Sequence, residues 1–205
     1  MSLPVFRKIP FAAALTLAAV AAPLSAQAMF SESYNFLEAV RDRDGDKVTT
    51  IVSTPGSTLI NTRDKATGDT ALHIVAKRSD SVWVRFLTQK GANPNIANKE
   101  GDTPIMISSA LGDIESVEAL IKAGARVDDA NGFGETPLIS AVHRRDIEMV
   151  RLLLSKGADP DRSDNSGRSA RDYVKVIDSK RLTAELDAHD SKGEETEPKD
   201  YGPVF

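Results

Sequence analysis

Three histidines, His73, His143 and His189, and no cysteine are the imidazole and thiol chemistry this chain carries. A disulfide framework, a thiol nucleophile, a thiolate zinc site and a cysteine-held iron–sulfur cluster are therefore excluded. An all-histidine metal site would have to use every imidazole present. Asp42, Asp44 and Asp46 alternate as at the start of a calcium loop, but Lys47 stands where that loop needs glycine and Ser53 where it needs a bidentate glutamate. Asp159, Asp161 and Asp164 fall in a Pro-containing turn and read as loop residues. No Ser/His/Asp arrangement, GxSxG elbow, P-loop or GxGxxG accompanies them. The expectation is no catalytic residue, no cofactor and no metal. The net charge of −4, from 26 basic and 30 acidic residues, argues against nucleic acid held by an overall positive field.

The elements that carry these residues are set by a repeat. Gly68, Gly101, Gly134 and Gly167 are 33 residues apart each time, and Thr70, Thr103, Thr136 and Ser169 follow them at the same interval. Gly91, Gly124 and Gly157, each followed by alanine, share the period, as do Asp80, Asp113 and Asp146 and the series Val84, Val117 and Val150. Each column has a role in a helix-turn-helix unit. The hydroxyl residue caps a first helix, and Pro104 and Pro137 occupy its first turn, where a missing N–H costs nothing. The aspartate caps a second helix, whose apolar residues recur at helical spacing: Ile114, Val117, Leu120 and Ile121, then Ile147, Val150, Leu153 and Leu154. Glycine at 91, 124 and 157 ends that helix in the left-handed conformation.

Gly68-Asp-Thr-Ala-Leu-His73, Gly101-Asp-Thr-Pro-Ile-Met106 and Gly134-Glu-Thr-Pro-Leu-Ile139 resemble the T-P-L-H-x-A signature of the ankyrin repeat family. Gly91-Ala-Asn-Pro-Asn95, Gly124-Ala-Arg-Val-Asp128 and Gly157-Ala-Asp-Pro-Asp161 look like that family's inter-repeat loop. The resemblance is strong over 65–164 and implies an all-α fold, an ankyrin-repeat solenoid of stacked helix-turn-helix units with short hairpin loops. The repeats are read as 65–97, 98–130 and 131–163, with an N-terminal cap over 33–64 and a C-terminal cap over 164–189. In the first cap Val48 and Ile51 lie 33 residues before Ser81 and Val84, and one extra residue precedes Gly68. The second helix of the last cap is expected over Lys180 to Ala188. From Asp190 the chain carries five acids and two lysines before Tyr201, so 190–205 is expected to be a disordered acidic tail.

The first 28 residues lack any acid and hold Arg7 and Lys8, an apolar run from Phe11 to Ala22, Pro23, and small residues at Ala26 and Ala28. This is the pattern of a cleavable Sec-type signal peptide over 1–28, cut before Met29. The 12 residues between Pro10 and Pro23 fall short of the ~20 that a spanning helix needs, so no stable membrane insertion is expected. The expected location is the periplasm of a bacterium, with secretion as the alternative.

The resemblance further implies binding to another protein through hairpin tips and the exposed face of the first helices. Carried over by position, the candidate protein-binding residues are Lys77, Arg78, Lys99, Glu100, Leu111, Phe133, His143 and Arg144. Phe133, an aromatic between Gly132 and Gly134 at a tip, is the candidate anchor, with local packing on a neighbouring tip as the alternative. Lys77, Arg78, His143 and Arg144 read as a basic patch suited to an acidic region of the partner. The function expected is a non-catalytic interaction module binding an envelope protein. The alternative is an effector-like protein binding a host protein. Capped ends favour a monomer.

Overall fold

The computed structural model describes residues 24–55 and 57–196, with the side chains of 32–55 and 57–191. Among the described residues there are ten α-helices: α1 (Leu24–Arg41), α2 (Gly45–Val52), α3 (Ala71–Lys77), α4 (Ser81–Gln89), α5 (Pro104–Leu111), α6 (Ile114–Lys122), α7 (Pro137–His143), α8 (Ile147–Ser155), α9 (Ala170–Ile177) and α10 (Lys180–Thr196). A short 3-10 turn, Leu59–Asn61, follows α2. Odd-numbered helices pack in one row, α1 on α3, α3 on α5, α5 on α7 and α7 on α9; even-numbered helices from α4 to α10 form a second row behind it. The chain is thus an all-helical solenoid of helix-turn-helix units.

Local chemistry explains why the units recur. The turn between the two helices of a pair passes through one left-handed residue: Arg43 (φ 59), Ser79 (φ 52), Gly112 (φ 75), Arg145 (φ 56) and Asp178 (φ 52). The next amide then reaches back to an inner-helix carbonyl, as in Asp80 N to Val75 O at 3.0 Å, Asp113 N to Ser108 O at 2.9 Å and Asp146 N to Ala141 O at 3.0 Å. The aspartate carboxylates at once cap the second helices. Asp44 accepts from Lys47 N, Asp80 from Trp83 N, Asp113 from Ser116 N and Asp146 from Met149 N, at 2.9–3.1 Å. Among the first helices, Thr136 Oγ1 accepts from Ile139 N at 3.2 Å, and Ser169 shares a capping box with Asp172. Thr103 departs from the expectation. Its buried hydroxyl has no hydrogen-bond partner among the described residues, and Pro104 leaves the first turn with one donor fewer to satisfy.

The first cap is offset from the register expected for it. The left-handed residue and capping aspartate, Arg43 and Asp44, precede Ser79 and Asp80 by 36 residues and not 33, so buried Val48 is the equivalent of Val84 and not of Ser81. One of the three additional residues sits in the tip, where Asp64 and Gly68 are four apart and Asn98 and Gly101 three apart; the others lie before it. At the other end α10 continues to Thr196, into the segment whose composition predicts disorder. Arg171 ties the start of that segment to the stack, bonding Asp161 on one side (2.8 Å) and Asp190 on the other (2.9 Å). Residues 197–205 lie outside the described residues, as does the expected signal peptide up to residue 23. Helix α1 runs without a break across the Ala28–Met29 bond.

The core is one continuous strip between the two rows. Leu72, Ile105, Leu138 and Ile139 from the first helices meet Val84, Leu87, Val117, Leu120, Val150 and Leu153 from the second, all essentially without exposure. Phe36 and Val40 close one end; Leu182 and Leu186 close the other. Among the described residues no helix is long and apolar enough to cross a membrane.

Candidate protein-interaction face

The tips that link the units project from the side of the odd-numbered helices and are stitched to one another. Lys99 N donates to Thr67 O (3.0 Å), Gly132 N to Glu100 O (3.1 Å) and Asn165 N to Phe133 O (3.1 Å), one bond per repeat in the same register. Inside each tip a side-chain carbonyl or carboxylate accepts two amides, as Asn98 Oδ1 does from Glu100 N and Asp102 N, and Asn131 Oδ1 from Phe133 N and Glu135 N. Phe133 rides on this braced backbone with 77% of its surface exposed. Leu111, at the end of α5, is 46% exposed. Lys99 and Glu100 are exposed on the neighbouring tip, and the Lys99 ammonium reaches back to Lys65 O at 2.6 Å.

The four basic candidates do not form a free positive patch. Lys77 Nζ sits 2.6 Å from Asp69 Oδ2. Burial pushes the Asp69 carboxyl up, but hydrogen bonds from Lys77 and Asn98 outweigh it and hold the group below the usual carboxylate range. Arg78 is turned into the stack: Nη1 donates to Val40 O (2.8 Å) and Arg41 O (3.3 Å), Nε to Asp80 Oδ2 (3.2 Å), and the guanidinium lies 5.4 Å from the centre of the Trp83 ring. It satisfies the last carbonyls of α1 and joins the cap to the first full repeat. His143 faces Glu135 Oε1 at 3.2 Å and meets Tyr173 edge-on with centroids 4.4 Å apart. Arg144 alone of the four is exposed without an ion pair among the described residues, its guanidinium resting beside Gly112.

A column missing from the sequence-based candidates accounts for the pairing of Lys77 and His143. Asp69, Asp102 and Glu135 each precede the threonine at the start of a first helix, and eight residues later, at the end of the same helix or one residue before it, stand Lys77, Ala110 and His143. The acid before each capping hydroxyl is visible in the sequence. Its meeting with the position eight residues on depends on the extended residue and helix between them, and so emerges only in three dimensions. The fourth member is Arg168, whose guanidinium lies over Tyr173 at 5.9 Å while Val176, eight residues on, is 71% exposed.

Among the described residues no three of His, Asp or Glu are grouped closely enough to hold a metal ion. Comparison with known families returns two matches, one described as ankyrin repeats (3 copies) over residues 36–131 and one as ankyrin repeats (many copies) over 120–174. No curated protein matches the chain. With the matched segments running from the first cap into the last, and the helix pairs, tip ladder and capping columns repeating through both, the chain belongs to the ankyrin repeat family, whose stacked units serve as non-enzymatic scaffolds for protein partners.

Proposed function

We propose that the chain is a non-catalytic interaction module exported to the bacterial periplasm, where it binds an envelope protein through its tips and the exposed face of the odd-numbered helices. The observation that carries this reading is Phe133, three-quarters exposed on a tip fixed by main-chain and asparagine hydrogen bonds. An exposed aromatic side chain on a braced backbone offers a large apolar surface with few rotatable bonds to immobilise on docking, which is the character of an interface anchor. Leu111, Arg144, Lys99 and Glu100 are the other exposed candidates. The periplasmic part rests on the basic, apolar and small-residue sequence of 1–28.

Site-specific photo-cross-linking tests it. A cross-linker at 133 or 111 should yield one adduct with an envelope protein, and a cross-linker at exposed Glu118 on the opposite row should not. Against the partner so found, Phe133→Ala should weaken binding roughly 30-fold, the size expected of an anchor, with an unchanged melting temperature. Equal adducts from all three positions would defeat the site. Recovery of the processed chain mainly from the medium would favour the effector alternative.

A further inference from the structure

The acid-to-position-eight pairing is interrupted once. Asp69 has Lys77 and Glu135 has His143, but in the repeat between them Asp102 faces Ala110, and no hydrogen bond or ion pair among the described residues reaches the Asp102 carboxylate. The backbone of Asp102 is pinned on both sides, its N–H donating to Asn98 Oδ1 at 3.0 Å and its carbonyl accepting from His73 Nε2 at 2.9 Å. Where a cationic side chain would lie there is a groove of about 220 Å³, bounded by Asp102, Met106, Ile107, Ala110, Leu111 and Lys77. Lys77 brings no free charge to it, because its ammonium is committed to Asp69. The groove therefore has apolar walls and one unneutralised, half-buried carboxylate.

We propose that this groove takes a basic side chain, arginine or lysine, from an apolar stretch of a protein partner. The cation pairs with Asp102 in the place that Lys77 and His143 fill in the flanking repeats, and the aliphatic stem lies along Met106, Ile107 and Leu111. An apolar side chain there would cover the carboxylate without satisfying it, and an acidic one would meet a like charge; both are disfavoured. The inference rests on the interaction-module reading and gives its partner a chemistry: a cation framed by apolar residues, in contrast to the acidic region that the basic candidates suggest in sequence.

The test uses the purified chain and two probes, a blocked Gly-Leu-Arg-Leu-Gly peptide and its citrulline twin, which keeps the shape and loses the charge. Chemical-shift titration should place the arginine peptide at Asp102 and Leu111, with affinity about fivefold above the citrulline peptide, the size of a partly exposed ion pair. Asp102→Asn should erase that preference. Ala110→Lys, at an exposed position in register with Lys77, should supply the cation internally and displace the arginine peptide. Absence of binding, equal affinity for the two peptides, or an arginine preference that survives Asp102→Asn would each overturn the inference. The broader reading fails by a different observation, loss of the adducts at 133 and 111.

Discussion

His73 shows how one side chain can join two repeats while remaining uncharged. Nδ1 receives the Thr70 amide at 3.1 Å, so the ring proton sits on Nε2, which donates to the carbonyl of Asp102 in the next tip at 2.9 Å. Burial lowers the imidazole below its ordinary value of 6.5, outweighing the hydrogen bond to Asp102. The folded state therefore resists a proton that the unfolded chain accepts. Stability is full above pH 6.5 and declines as pH falls from there toward the lowered folded value. The melting temperature should drop between pH 7.5 and 5, and His73→Ile, the residue type that Ile139 supplies in the third repeat, should flatten the drop. An equal slope in the variant would remove His73 as its cause. The sequence places His73 in the repeat motif; that its second nitrogen bridges to the following repeat does not appear there, because the acceptor lies 29 residues away.

Among the elements, the α5–α6 pair is the least well satisfied. Thr103, Ser108, Ser109 and Ser116 are buried with no hydrogen-bond partner for their hydroxyls among the described residues, and one oxygen of Asp113 shares that state. The same columns carry Val75, Ala76 and Trp83 one repeat before and Ala141, Val142 and Met149 one repeat after. A buried hydroxyl without a partner costs about 1–3 kcal/mol relative to a paired one. Ser109→Ala, which restores the residue type of Ala76, should therefore raise unfolding stability by about 1 kcal/mol in denaturant titration. A loss of stability would mean the hydroxyl is satisfied in solution. The serines are legible in the sequence as helix residues, but the cost is not. It depends on how tightly α3 and α7 close over them, and helical periodicity does not reveal that.

Among the described residues the main helix contacts run between neighbouring repeats, so cohesion is the sum of local seams. One seam is the tip ladder, and Gly101 lies at its closest approach. With φ +85 it already occupies the left-handed region, and a Cβ there would come within 2.5 Å of the Gly132 amide nitrogen. Gly101→Ala should lower stability by about 1–3 kcal/mol through strain. It should also broaden the denaturant transition, as the units on either side lose register. An unchanged midpoint would show that the seam carries no tension. The glycine column announces a turn in the sequence; the backbone it nearly touches, one full repeat away, does not appear there.

The 33-residue spacing, the capping residues and the apolar columns determine helix pairs and their stacking without any coordinates, because each of those devices acts within one unit or on its immediate neighbour. Tertiary structure alone decided where the charges go. Arg78, basic in sequence, is consumed by the carbonyls of α1. Lys77 and His143 are met by acids eight residues earlier, and Asp102 is left facing an apolar groove. A charge is available to a partner only if no nearer group neutralises it, and distance between side chains is set by packing rather than by order along the chain.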